Sequence, residues 1–151
     1  MSYQHILLVT DLKQDADLVA QKAKQQLTTQ SSQLSILHIV QDTVVGFGYE
    51  LIPASSLNEI DEEHKQQMKA EMVAFLDRNQ LNTQNTNISA EVVTAISSTE
   101  GIISYCDAHQ VDLLVIGRHE RHGLSALLHG STVDNIIPNI KCDVLVVHLD
   151  I

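Results

Sequence analysis

The sequence predicts an α/β fold, a single doubly wound sheet of five parallel strands with helices on both faces. Short apolar runs alternate with amphipathic segments along the chain, and four of the five runs are almost continuously apolar. Continuous apolar runs are typical of strands that helices cover on both faces. The length of 151 residues excludes a closed eight-stranded α/β barrel, which needs about 250 residues. We therefore expect an open sheet in one domain spanning residues 1–151.

Five apolar runs account for the predicted strands. The first covers His5–Val9, the second Leu34–Val40, the fourth Asp112–Gly117 and the fifth Asp143–Leu149. The third, Ile88–Val93, alternates more clearly between apolar and polar residues, which predicts an edge strand or one that is less fully covered. Because His38 and His148 lie inside these runs, we interpret them as core or edge residues with satisfied ring nitrogens.

The first two predicted helices have apolar stripes at helical spacing. Ser56 and Glu59 have the spacing of a capping box, which places the start of the second helix there. The stripe of the first helix is Ala16, Val19, Ala20, Ala23 and Leu27. The stripe of the second helix is Ile60, His64, Met68, Met72, Phe75 and Leu76.

The last two predicted helices are shorter. Ser97 and Glu100 form a second capping pair ahead of the third helix. That helix carries Ile102, Ile103 and Cys106. The fourth helix carries Val133, Ile136, Ile137 and Ile140, and it ends near Pro138,. The resulting order is βαβαβαβαβ.

The composition excludes several classes of function. Nine Lys and Arg residues face nineteen Asp and Glu residues, a formal net charge of -10, which repels nucleic acid and anionic membranes. The apolar run Ile6–Val9 follows no basic stretch and is too short for a secretion signal or a membrane span. Only two cysteines, Cys106 and Cys142, are present. We expect a cytoplasmic protein with reduced thiols, with Cys106 packed in the core.

Two loops are expected to matter most for binding. In doubly wound sheets, ligands bind beyond the carboxyl ends of the strands where the winding reverses. Thr10 and Asp11 follow the first strand, and a loop beginning at Gly117 follows the fourth. The segment Gln41–Ser55 is interpreted as a mobile connector, with a flap over the crevice as the alternative.

The segment from Gly117 to Thr132, GRHERHGLSALLHGST, holds three of the six glycines and three of the eight histidines. Glycines allow backbone N–H groups to approach a phosphate, and Gly130, Ser131 and Thr132 would reach an anion at the start of the last helix. His119, His122 and His129 do not have the spacing of a compact metal site, so solvated loop histidines are favoured and no metal site is predicted.

These features together resemble the universal stress protein family along essentially the whole chain. The opening HILLVTDL, the segment GRHERHGLSALLHGST and the closing KCDVLVV carry the resemblance. It implies a Rossmann-like fold of the adenine nucleotide alpha hydrolase-like kind. Nucleotide-binding members have Gly, two residues, Gly, nine residues, Gly and then Ser or Thr. Gly117, Gly130 and Ser131 match this pattern, whereas Glu120 occupies the place of the second glycine.

The resemblance also implies a set of nucleotide-binding residues. Asp11 would hold the ribose or an ion, and the chain near Val40 would line the adenine. The complete set is Asp11, Val40, Gly117, Arg118, His119, Gly130, Ser131 and Thr132. Glu120 adds a carboxylate near the phosphates, which Arg118, Arg121 or a bound Mg²⁺ would offset.

The first hypothesis is a cytoplasmic universal stress protein that acts as a regulatory or protective binding module. It would be a homodimer through the last strand, Asp143–Leu149, because pairing would cover an exposed apolar edge. The alternative is a sensor of ATP or AMP, with Mg²⁺ and at most slow ATP hydrolysis. A flavin domain is disfavoured by the 3% aromatic content,. Sequence motifs of efficient hydrolases and of phosphate-binding loops are absent from the sequence,.

Overall fold

A computed structural model describes residues 2–41, 54–119 and 132–149, without the side chains of residues 54–61 and 119. Helices and strands alternate along the chain as predicted. The strands are β1 (His5–Val9), β2 (Gln33–Gln41), β3 (Ile88–Ala95), β4 (Leu113–His119) and β5 (Asp143–Leu149). The helices are α1 (Ala16–Gln25), α2 (Ala54–Arg78), α3 (Ser98–His109) and α4 (Thr132–Ile136), and a 3-10 turn follows at Ile137–Asn139.

All five strands are parallel, and their order across the sheet is β3-β2-β1-β4-β5. The chain winds in one direction from β1 to β3 and then returns past β1 to β4 and β5. The winding therefore reverses between β1 and β4, which lie next to each other at the middle of the sheet. This confirms the doubly wound parallel sheet, and β3 is an edge strand as its alternating pattern predicts.

Helices cover both faces of the sheet, and each face has its own apolar cluster. On one face, Ala20 of α1 and Phe75 of α2 pack with residues of β1 such as Leu8. On the other, Ile102 of α3 and Ile136 of α4 pack with residues such as Leu114. Each of these side chains is at most 1% exposed, and burying one of the larger ones, such as Phe75 or Ile102, stabilises the fold by roughly 1.5–3 kcal/mol.

Of the two helix caps that the sequence predicts, one is confirmed and one is wrong. Ser97 is the N-cap of α3, since its Oγ accepts a hydrogen bond from Glu100 N at 3.1 Å. The predicted cap at Ser56 is wrong, because α2 already begins at Ala54 and Ser56 lies inside the helix.

Within the stripe of α2, Met72 and Phe75 are buried, but His64 is exposed. Residues 42–53 of the predicted connector lie outside the described part of the chain.

The last helix is shorter than its apolar stripe predicts. α4 ends at Ile136, and the chain tightens into the 3-10 turn that contains Pro138. Because proline has no N–H to donate, it cannot continue an α-helical hydrogen-bond ladder. Val133 and Ile136 are buried as predicted, whereas Ile137 is 52% exposed. Ile137, which the sequence places in this helix, instead begins the 3-10 turn.

Candidate functional site

A cavity of about 660 Å³ lies at the carboxyl ends of β1, β2 and β4. This is the crevice beside the reversal of winding, where the topology predicts a binding site. Its volume falls in the range of small-molecule sites, roughly 300–1,000 Å³. The lining residues are Val9, Thr10, Asp11, Ala16, Val19, His38, Ile39, Val40, Gln41, His64, Ser98, Ile102, Ile116, Gly117, Thr132 and Leu149.

The loop after β1 supplies the acidic part of this lining. Asp11 is exposed at the cavity, and its Oδ1 accepts a hydrogen bond from the backbone N–H of Lys13 at 3.0 Å. Thr10 is buried, and its Oγ1 accepts a hydrogen bond from Leu12 N at 2.9 Å. Side chains thus satisfy two backbone donors ahead of α1, as in Asx and Ser/Thr turns. The sequence-predicted Asp11 lies in the cavity wall.

His38 is a cavity residue that the sequence interpretation missed. Its Nδ1 donates a hydrogen bond to the carbonyl oxygen of Thr10 at 2.8 Å, which fits the expected satisfied ring. The half-buried imidazole also lines the cavity, together with exposed His64 of α2. Because every second residue of a strand faces the same side, the position of Val40 could have pointed to His38.

The walls of the cavity are mainly apolar. Val40, half-buried at the end of β2, lines it beside Ile39. Ile102 of α3 and Ile116 of β4 also contribute to the lining. Polar groups are interspersed among them, since Gln41 Nε2 donates a hydrogen bond to Ser98 Oγ at 3.2 Å. An apolar enclosure with a few polar groups suits a flat organic ring with polar substituents.

Gly117 also lines the cavity, and it lies within β4, as the fourth predicted strand has it. The strand continues through Arg118 to His119, so the predicted loop begins later than expected. A Cβ atom on Gly117 would lie 2.9 Å from Leu149 Cδ1 and from Val19 Cγ2. Glycine therefore allows β5 and α1 to approach β4 closely at the cavity floor.

Arg118 is outside the described lining of the cavity. Its guanidinium Nη2 lies 3.4 Å from Asp134 Oδ2 of α4, a long ion pair between partly exposed groups. In the sheet, Arg118 pairs with His148 and His119 pairs with Leu149. His148 is exposed on β5, which fits an edge residue. The structure thus does not bring Arg118 together with Asp11 and Val40.

Of the predicted phosphate-contacting residues, Thr132 is described. It is the first residue of α4, is half-buried, and lines the cavity. Gly130 and Ser131, together with Glu120, lie outside the described residues. His122 and His129, which the sequence predicts to be solvated loop histidines, also lie outside the described residues.

The two cysteines lie together away from the cavity. Cys106 is buried in α3, and burial followed by the neighbouring Cys142 raises the pKa of its thiol to about 12. Burial also raises the pKa of Cys142. The part of the chain that the structure describes contains no group of three or more His, Cys, Asp or Glu residues suited to a metal ion. Among those same residues, no helix has both the length and the apolar character of a membrane span.

The comparisons with known proteins agree with this architecture. The family model described as Universal stress protein family matches residues 2–148. Universal stress protein A homolog 2 of Coxiella burnetii is 28% identical over 150 residues, covering 98% of this chain and 97% of the relative.

Two solved structures have the same fold. The protein MJ0577 of Methanocaldococcus jannaschii superposes with a TM-score of 0.73 at 22% identity, covering 98% and 97% of the two chains. A universal stress protein in complex with cAMP superposes with a TM-score of 0.68 at 21% identity, covering 99% of each chain.

Proposed function

The chain belongs to the universal stress protein family, and we propose that it is a cytoplasmic regulatory binding module of the stress response whose cavity takes an adenine nucleotide. In this proposal residues 1–151 form one domain. The observation that carries it is the cavity itself, which combines Asp11, Val40, Gly117 and Thr132 at the reversal of winding. These residues come from four separate parts of the sequence, and the fold gathers them at one edge of the sheet.

The lining suggests how a nucleotide would lie. The apolar walls near Val40 and Ile102 suit the adenine ring, because apolar surface favours burial of a flat heterocycle. Asp11 is an acceptor suited to ribose hydroxyls or to a magnesium ion. Thr132 offers a hydroxyl to the phosphates, and the family pattern adds Gly130 and Ser131 as further phosphate-binding residues. The cAMP-bound structure of similar fold supports an adenine-containing ligand.

Calorimetric titration with ATP and AMP, each with and without Mg²⁺, tests the proposal. Wild type should saturate at micromolar nucleotide, and Asp11→Ala should weaken binding about tenfold, the value of a hydrogen bond to a charged group. Asp77→Ala is the matched control, since Asp77 is exposed on α2 and outside the described cavity lining. It removes the same charge and should leave affinity unchanged.

Glu120→Gly completes the family glycine pattern and should strengthen binding. A wild type that binds neither nucleotide refutes the proposal, even if Glu120→Gly gains affinity. That combination would show that one carboxylate makes the module independent of nucleotide.

We also propose a homodimer through β5. This strand forms an edge of the sheet, and its central residues Val144, Leu145 and Val146 are only half-buried in the single chain. An exposed apolar edge tends to pair, and a two-fold axis would cover both copies. Sedimentation should give twice the 16.7 kDa of one chain, and Val146→Glu should shift the protein toward monomer. A wild type that sediments as a single chain would contradict the dimer.

A further inference from the structure

The hydrogen bond between His38 and Thr10 joins two strands at the edge of the cavity. His38 Nδ1 lies 2.8 Å from the Thr10 carbonyl oxygen. Because a carbonyl oxygen can only accept, Nδ1 carries the hydrogen. Thr10 N also donates to Leu37 O at 3.0 Å. Residue 10 is thus held to β2 through both its N–H and its carbonyl group, directly before the chain turns into Asp11.

The loop that follows, residues 11–13, contains a strained backbone conformation that hydrogen bonds must hold in place. Leu12 has a φ of 69°, in the left-handed region that residues with a side chain rarely adopt. Its side chain is buried, only 7% exposed, and belongs to the core. Such a conformation persists only where the surroundings hold it. Here the bonds of Leu12 N to Thr10 Oγ1 and of Lys13 N to Asp11 Oδ1 do so.

We propose that His38 is a positioning residue for Asp11. Its ring fixes the Thr10 carbonyl, which fixes the peptide plane between Thr10 and Asp11 and thereby the direction in which the carboxylate enters the cavity. This inference deepens the proposed function, because it takes Asp11 as a group that contacts the nucleotide. The rival role for His38 is direct contact with the ligand, since the ring also lines the cavity.

Two substitutions of His38 separate its hydrogen bond from its bulk. In His38→Asn, the side-chain amide N–H occupies the place of Nδ1–H and retains the donor to Thr10. In His38→Leu, the side chain fills much of the same space without a donor. We expect His38→Leu to weaken AMP binding about tenfold, as Asp11→Ala does. His38→Asn should bind AMP within about twofold of wild type, whereas direct ligand contact through Nε2 predicts that both variants lose affinity.

A double-mutant cycle tests whether His38 acts through Asp11. In the Asp11→Ala variant the carboxylate is already absent. Loss of the hydrogen bond from His38 to the Thr10 carbonyl can then no longer change the position of that carboxylate. His38→Leu should then weaken AMP binding by less than about twofold in the Asp11→Ala background. An undiminished tenfold loss in that background would overturn the positioning role.

Hydrogen exchange of the protein without ligand gives a readout that does not depend on nucleotide binding. The amide of Leu12 donates a hydrogen bond to Thr10 Oγ1, and we expect this bond to slow its exchange. It should exchange at least about tenfold faster in His38→Leu and at the wild-type rate in His38→Asn. Amides of α3, such as Ile103, should not change in either variant.

These readouts distinguish failure of the inference from failure of the proposed function. If wild type binds no nucleotide, the proposed function fails, and Leu12 exchange alone decides whether His38 positions the loop. If wild type binds AMP but Leu12 exchanges equally in wild type and His38→Leu, the inference fails and the proposed function stands. Equally fast exchange in His38→Asn and His38→Leu would also overturn the inference, because the retained donor would then have no effect.

Discussion

The side chain of Leu149 packs against Gly117, so a Cβ atom on this glycine would lie only 2.9 Å from Leu149 Cδ1. Gly117 is also the first residue of the family glycine pattern. The contact gives this glycine a packing role. Leu149 and Gly117 also both line the cavity, so the packing role adds to any role of Gly117 toward a ligand.

We predict that Gly117→Ala destabilises the protein by about 1–3 kcal/mol, since the added methyl group overpacks the core. The affected atoms are ends of side chains, Leu149 Cδ1 and Val19 Cγ2, so the fold should survive. Urea unfolding measures the loss. In the double variant Gly117→Ala/Leu149→Ala, the loss should be smaller than the sum of the two single losses. Strict additivity would show that the methyl group clashes elsewhere.

The pairing of Asp17 with Arg78 predicts a defined pH dependence. Arg78 Nε and Nη2 donate to the Asp17 carboxylate at 2.8–3.1 Å, and these bonds hold the Asp17 pKa below its usual range. A carboxyl whose pKa is lower in the folded state stabilises the fold above its unfolded pKa of about 4. That stability is lost as the pH falls through the folded pKa.

Asp17→Asn should therefore lower Tm by about 2–4 °C at pH 7, because the pair is partly exposed. The amide oxygen can still accept from Asn79 Nδ2, which donates to Asp17 Oδ1 at 2.9 Å, so the variant keeps this bond while it removes the charge and the Oδ2 acceptor of Arg78 Nε,. The Tm difference should disappear as the pH is lowered from about 5 toward 2. A difference that persists unchanged at low pH would refute the electrostatic origin.

The two thiols are predicted to be unreactive in the folded protein. Burial raises the pKa of Cys106 to about 12 and also raises that of Cys142, so few thiolates exist at pH 8. Alkylation of Cys106 by iodoacetamide should be more than about a hundredfold slower than in denaturant. Timed labelling and mass spectrometry measure both rates. Cys142→Ser should leave Cys106 protected, and rapid labelling of native Cys106 would contradict its burial.

The sequence predicted the sheet and its crevice because those depend on local patterns. Continuous apolar runs gave the strands, and the Ser97–Glu100 pair gave the start of α3. The close packing at Gly117 involves Val19 and Leu149, which are distant in sequence, so local patterns do not show it. The bond from His38 to Thr10 spans 28 residues for the same reason.

Arg118 is expected to contribute little to nucleotide affinity. Its guanidinium pairs with Asp134 at 3.4 Å and is outside the described cavity lining. Arg118→Ala should change the Kd for AMP by less than about twofold, because the Asp134 carboxylate already pairs with this partly exposed guanidinium,. Asp11→Ala, measured in parallel, should weaken binding about tenfold. A tenfold loss in Arg118→Ala would show that the guanidinium leaves Asp134 and contacts the bound phosphate.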